Sequence, residues 1–201
     1  MPKPNAVFKQ TYQNYITQIQ TLDLNPLSIK LGLVWHQNNF MISFLNKNYI
    51  ISENGFFNHL NESAPYELCI VLCKYILLCP EEESQKKDWV TFRDFKDSGP
   101  LTVYFSNEVE QKISRSFAGK MEELITACRT IERYPADIAE GYDISMRFDV
   151  LPKIPVVLLF NDRDPEFEAV AKLLFEKRAA HYLDAECLAI LGNILCQMLK
   201  T

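Results

Sequence analysis

From Val156 to Phe160 every residue is apolar, and prolines at positions 152 and 155 stand just before the run. Such continuity suits a central strand covered on both faces, because alternation disappears when neither face meets water. Pro155 has no amide to donate, which places it at the start of that strand rather than inside it. The preceding run carries Ile144, Met146, Phe148 and Val150 on one side of an imperfect alternation. Two strands meeting across a proline-marked turn are therefore expected between Ile144 and Phe160. An acidic loop and a short amphipathic segment follow them. A long helix then opens at Asp184, whose side chain suits an N-cap, and carries Leu188, Leu191, Leu195 and Leu199 as its stripe.

The N-terminal part changes period along its length. Residues 5–20 bring Val7, Phe8, Tyr12, Tyr15, Ile16 and Ile19 near helical spacing, which predicts a first helix or helical extension over 1–20. A short turn or helical piece opens at Asn25-Pro26, runs through Leu31, and is ended by Gly32. LVWH, NFMISFL and NYII are aromatic and β-branched runs separated by Gln37-Asn38 and Asn46-Lys47. They predict a three-stranded antiparallel meander, with a further turn at Asn54-Gly55. Residues 64–79 read as a core helix capped by Ser63 with Pro65 in its first turn. Residues 80–88 read as an exposed linker, and WVTFRDF as a short strand, an ordered loop or a helical turn. Ser98-Gly99-Pro100 is a breaker, and Asn107 with Glu110 has capping-box spacing for a helix that continues past Gly119 to Cys128. The segment from Thr130 to Asp143 reads as turns with a short helical piece. The expected fold is α+β. A mixed or mainly antiparallel sheet is built from an N-terminal meander and a C-terminal strand pair, packed by several helices, in one globular domain over 1–201.

Composition narrows the function classes. A net charge of −5, with scattered basic residues, is a poor match to nucleic acid, whose phosphates demand a concentrated positive surface. No run reaches the roughly 20 apolar residues that span a bilayer, and LCIVLCKYILLC at 68–79 is interrupted by Lys74. The N-terminus has no export-signal pattern, so a cytoplasmic location is expected. The six cysteines include no Cys-x-x-Cys pair and read as reduced core thiols, although Cys69 and Cys73 share a helical face and could supply two ligands. The six glycines assemble neither a phosphate loop nor a nucleophile elbow. No motif names a cofactor.

The densest chemistry lies at Asp162, Asp164 and Glu166. Alternating oxygen-bearing residues can surround a hard cation, but the glycine and distal glutamate of a calcium loop are absent. The structural alternative is that Asp164 caps a short helix opening at Pro165. Arg163 either neutralises these acids or orients an anion. Arg93, four residues after Trp89, and Tyr142 with Asp143 are further candidate walls of a ligand pocket. His36, His59 and His181 are far apart in sequence and offer no motif.

Taken together, GYD at 141–143, LPKIPVVLLFNDRDPEFEAVAKLLFEKRAAHYLDAECLAILG at 151–192 and WVTFRDF at 89–95 resemble a domain family of unknown function found mainly in anaerobic bacteria and archaea. The resemblance covers residues 20–200. It rests on Trp89, Phe92, Arg93, Tyr142, Asp143, Pro155, Asp162, Asp164, Glu166, Phe167, Phe175, Tyr182 and Leu183. Some relatives are fused to an iron–sulfur domain whose clustered cysteines have no counterpart here. The resemblance implies an anaerobic redox or corrinoid-associated setting and transfers no catalytic residue. The leading expectation is a binding or accessory protein for anaerobic metabolism, taking a protein partner or a small-molecule ligand. The alternatives are a metal-dependent or small-molecule enzyme built on Asp162, Asp164 and Glu166 near Arg93 and Tyr142, and a structural partner that binds through its terminal helix.

Overall fold

A computed structural model describes residues 6–84, 87–131, 134–136, 138 and 141–201. Helix α1 (Ala6–Gln20) packs on the chain's apolar α3 (Tyr66–Leu77) and buries Tyr12, Ile16 and Ile19. Between them lie α2 (Leu24–Leu31) and a four-stranded antiparallel sheet, β1 (Val34–His36), β2 (Asn39–Phe44), β3 (Lys47–Ser52) and β4 (Gly55–Phe57). Gly32 closes α2 at φ 67°, and its amide reaches back to Ile29 and Ser28. A left-handed C-cap of this kind favours glycine.

The expected meander is present and gains a fourth strand. Its first turn is Gln37-Asn38, both at positive φ, as a two-residue hairpin loop with matching twist requires. The second turn is Leu45-Asn46, since Phe44 pairs with Lys47. It lies one residue before the expected position, so Leu45 rather than Lys47 takes positive φ. The Leu45 amide donates to Val150 O at 2.9 Å, joining this sheet to the second one.

The second sheet is also antiparallel, in the order β5 (Trp89–Thr91), β9 (Val170–Glu176), β8 (Ile154–Asn161), β7 (Ile144–Leu151), β6 (Tyr134–Pro135). The expected strand pair is its centre, and β8 is buried from Ile154 through Phe160. The amphipathic segment after the acidic loop is β9. It alternates with period two, burying Ala171, Leu173 and Phe175 while leaving Lys172 and Leu174 partly exposed. WVTFRDF divides into β5 and a single helical turn at Phe92–Asp94. The helical piece expected between Thr130 and Asp143 falls partly outside the described residues, and the described part holds β6.

Three helix boundaries differ from the sequence reading. Ser63 does not cap α3, which begins at Tyr66 without a side-chain cap; its hydroxyl donates to Ala64 O instead. Ser98-Gly99-Pro100 opens a helix rather than breaking the chain, because Pro100 falls in the first turn, where an amide is not needed. Helix α4 (Gly99–Phe105) runs through a π turn (Ser106–Glu110) into α5 (Gln111–Phe117), so Asn107 and Glu110 are interior residues, not a capping box. Gly119, at φ 73°, does end this helix, and α6 (Met121–Thr130) starts afresh.

The last helix, α7 (Ala185–Leu199), is capped by Asp184, whose Oδ1 accepts the Cys187 amide at 2.9 Å. Lys74 of α3 meets Asp184 Oδ2 at 3.2 Å. Helix α7 crosses α3, α4 and α6 and lies against one continuous apolar core shared with both sheets. Among the described residues no helix is long and apolar enough to cross a membrane.

Candidate functional site

The acidic loop joins β8 to β9, and its two aspartates serve the backbone. Asp162 Oδ1 accepts the amides of Gly119 at 2.6 Å and Arg163 at 2.7 Å. Asp143 Oδ2 accepts the Asp162 amide at 2.8 Å, and Asn161 Oδ1 accepts the Asp143 amide at 2.9 Å. Asp143, Asn161 and Asp162 thus brace the start of β7 against the end of β8 and hold the α5–α6 joint on both. Asp164 Oδ1 accepts the amides of Glu166 at 2.8 Å and Phe167 at 2.7 Å. Its own amide donates to Phe167 O at 2.9 Å, so it closes a turn, and no helix begins at Pro165.

Arg163 lies over the α5–α6 joint, where a Cβ on Gly119 would stand 2.9 Å from its guanidinium. Glu166 is exposed, and Tyr142 is half-buried. Arg93 follows β5, across β9 from β8, which ends one residue before Asp162, and among the described residues it has no hydrogen bond or ion pair with the acidic loop. Among the described residues no group of three or more His, Cys, Asp or Glu side chains converges as a metal-binding set. The sequence candidates therefore fall into one braced junction (Asp143, Asp162), one turn (Asp164, Glu166) and two separate positions (Arg93, Tyr142).

A different hollow has the makeup of a ligand pocket. The β2–β3 hairpin, the start of α3 and the end of α7 border a half-open cavity of about 280 Å³. Buried Phe44, Tyr49 and Leu68 line it together with half-buried Ile194 and Met198. Lys47, Glu67, Asn193 and Gln197 supply its polar groups. Apolar walls with a few placed polar groups are the usual composition of a small-molecule site. Burial raises the Tyr49 hydroxyl above its ordinary range, with Cys69 adding to the effect, so it stays a neutral phenol at the cavity wall.

Local sequence explains how each wall is placed. The Leu45-Asn46 turn turns the chain back and starts β3 at Lys47, while the alternation of β2 and β3 sends Phe44 and Tyr49 inward. Helix α7 presents Asn193 and Gln197 four residues apart, beside Ile194 and Met198 at the same spacing. Residues four apart share a helix face, so these two amides interrupt the apolar run that begins at Cys187. That interruption is visible in the sequence, and the reading missed it. Lys47 and Glu67 had no such signal, because only tertiary packing brings them to one cavity.

A second, wider hollow of about 870 Å³ lies on the outer side of the meander and shares Lys47, Tyr49 and Pro65 with the first. His36, His59 and Glu62 line it, so the fold brings two sequence-distant histidines to one groove. Its lining is mostly exposed and polar, with Met41 and Ile50 half-buried.

No curated protein and no solved structure matches the chain. The family model described as a domain of unknown function, DUF3786, matches residues 23–198. The match takes in both sheets and helices α3 to α6 whole, together with the part of α7 that lines the cavity, and the chain belongs to this family.

Proposed function

We propose that this protein is a binding protein for a small amphipathic molecule, held in the cavity between the β2–β3 hairpin, α3 and α7. The observation that carries the reading is the makeup of that cavity: buried Phe44, Tyr49 and Leu68 beneath Lys47, Glu67, Asn193 and Gln197. The apolar body of the ligand packs against the buried side chains, and its polar end meets the charged and amide groups. Burying apolar surface supplies the affinity, at about 25 cal/mol per Å², while the polar groups fix orientation.

In this reading the protein acts as an accessory factor in anaerobic metabolism, in the cytoplasm. Two observations support that setting. All six cysteines are free, and five are buried, as suits a reducing compartment. The resemblance carried by the 141–192 block supplies the metabolic association. The metal-dependent enzyme reading loses support because Asp162 and Asp164 already accept two backbone amides each.

Native mass spectrometry of the protein purified under non-denaturing, oxygen-free conditions tests the proposal. A one-to-one small-molecule adduct is expected on the wild type and not on Ile194→Trp, which fills the cavity. The same adduct on both proteins, or none on either, would count against it.

A further inference from the structure

Away from that cavity, a cluster of charged groups lies where Glu83 meets the end of the second sheet. Lys153, in the β7–β8 turn, meets Glu83 Oε1 at 3.0 Å, and Arg178 meets the same oxygen at 3.3 Å. Arg178 also donates through Nε to Glu176. The two cations are well covered, with side chains 19% and 12% exposed, whereas Glu83 is 32% exposed and comes from a segment without regular structure. Beneath them the rings of Tyr75 and Tyr182 stack at 5.5 Å. The Tyr75 hydroxyl is satisfied: it donates to Leu31 O at 2.9 Å and accepts the Lys153 amide at 3.2 Å. The Tyr182 hydroxyl is not. The residue is fully buried, yet among the described residues its oxygen has no hydrogen-bond partner.

A buried hydroxyl without a partner costs about 1–3 kcal/mol. Here it sits in the field of Glu83 and Arg178: burial pushes it up to about 12, Glu83 adds to the rise, and Arg178 opposes it. Without Glu83, Lys153 and Arg178 would face the single carboxylate of Glu176, beside a free O–H donor. A guanidinium, an ammonium and a hydroxyl grouped in this way suit a carboxylate, whose two oxygens accept from several donors at once.

We propose that Lys153, Arg178 and the Tyr182 hydroxyl form a binding site for a small carboxylate ligand, and that Glu83 fills it as an internal stand-in. Glu83 contributes only one oxygen to the cations and leaves the Tyr182 hydroxyl unused. A free carboxylate, unconstrained by the chain, can use both its oxygens and reach that donor. Binding then displaces the 80–84 strap, which couples occupancy of the site to a local loosening of the segment.

Acetate is the probe, set against chloride and phosphate at equal ionic strength, with the wild type, Glu83→Ala and Lys153→Met. The expected result for Glu83→Ala is a saturable rise in melting temperature of about 3–5 °C with acetate, roughly a tenfold gain in the folding equilibrium. In the wild type, acetate is expected to speed amide exchange of residues 81–84, and Lys153→Met is expected to abolish that response. Acetate acting no differently from chloride, phosphate outdoing acetate, or an unchanged response in Lys153→Met overturns the proposal. Should Glu83→Ala fail to fold, the wild-type exchange measurement decides alone: faster exchange with acetate supports the site, and unchanged exchange rejects it.

Discussion

Asp162 reaches across 43 positions of sequence to accept the Gly119 amide at 2.6 Å, tying the end of β8 to the joint between α5 and α6. Gly119 is at φ 73° there, and a side chain on it would meet the Arg163 guanidinium. The most conspicuous acid in the sequence is thus engaged in holding two layers of the fold together.

Loss of this brace has a graded cost across the acidic loop. Asp162→Ala removes two charge-assisted hydrogen bonds, one of them tying β8 to the α5–α6 joint, and is expected to destabilise by about 1–3 kcal/mol. Asp164→Ala opens only its own exposed turn and should cost about 0.5–1.5 kcal/mol, while Glu166→Gln should lie within about 0.5 kcal/mol of wild type. Urea unfolding of the three variants measures the order, and equal losses would contradict the bracing role.

Gly192 of α7 lies against Phe105 of α4. A Cβ there would stand 2.5 Å from Phe105 Cε2, and that ring is itself held by stacking on Phe92 at 4.2 Å. Gly192→Ala should therefore destabilise by about 1–3 kcal/mol through overpacking, although alanine is the better helix former. Phe105→Leu in the same chain is expected to recover part of the loss, and a double-mutant cycle by thermal unfolding reads the coupling.

Glu110 owes its position to the π turn, which swings a 7% exposed carboxylate toward β9. Its Oε1 accepts the Leu173 amide at 3.3 Å and its Oε2 takes Lys172 Nζ at 2.8 Å. β5 pairs with β9 only from Leu174 to Glu176, so Glu110 covers the edge where that pairing stops. Glu110→Ala should cost about 1–3 kcal/mol and speed hydrogen exchange at the Leu173 amide. Unchanged exchange would show that the edge is protected by something else.

Part of the stability at neutral pH, lost in acid, should depend on Asp184. Burial acts to raise its carboxyl, but the Cys187 amide and the Lys74 ammonium outweigh that and leave it below the ordinary carboxylate range. A depressed folded-state value supplies stability that is fully present above the unfolded value, near about 3.9. That stability is lost as pH falls through the folded value. Asp184→Asn should therefore be less stable than wild type at neutral pH, with the gap narrowing in acid below about pH 4. Urea midpoints at both pH values test this, and a gap that widens in acid would contradict the assignment.

Much of the fold could be read from local pattern. Pro155 and the Val156–Phe160 run announced the central strand, Gly32 and Asp184 announced helix ends, and Gln37-Asn38 announced a hairpin. What failed was decided by tertiary context. AVAKLLFE is short enough to suit helix or strand, and pairing with β8 settles it as β9. Asn107 and Glu110 have N-terminal capping spacing, yet Pro100 starts the helix earlier and packing against β9 draws Glu110 inward. The candidate site was less legible still. Acids were visible as a cluster, but their backbone partners lie on other elements, and the cavity beside α7 exists only once α3 and the β2–β3 hairpin converge on it.

Titration with the fluorescent apolar anion 1-anilinonaphthalene-8-sulfonate tests the central claim, that this cavity binds an amphipathic molecule, most directly. Wild type should bind one equivalent saturably, Ile194→Trp should lose that binding while keeping its melting temperature, and Lys47→Met should weaken it by about tenfold, or ~1.4 kcal/mol. Unaltered binding by the cavity-filled variant, or no saturable binding by the wild type, would contradict the account.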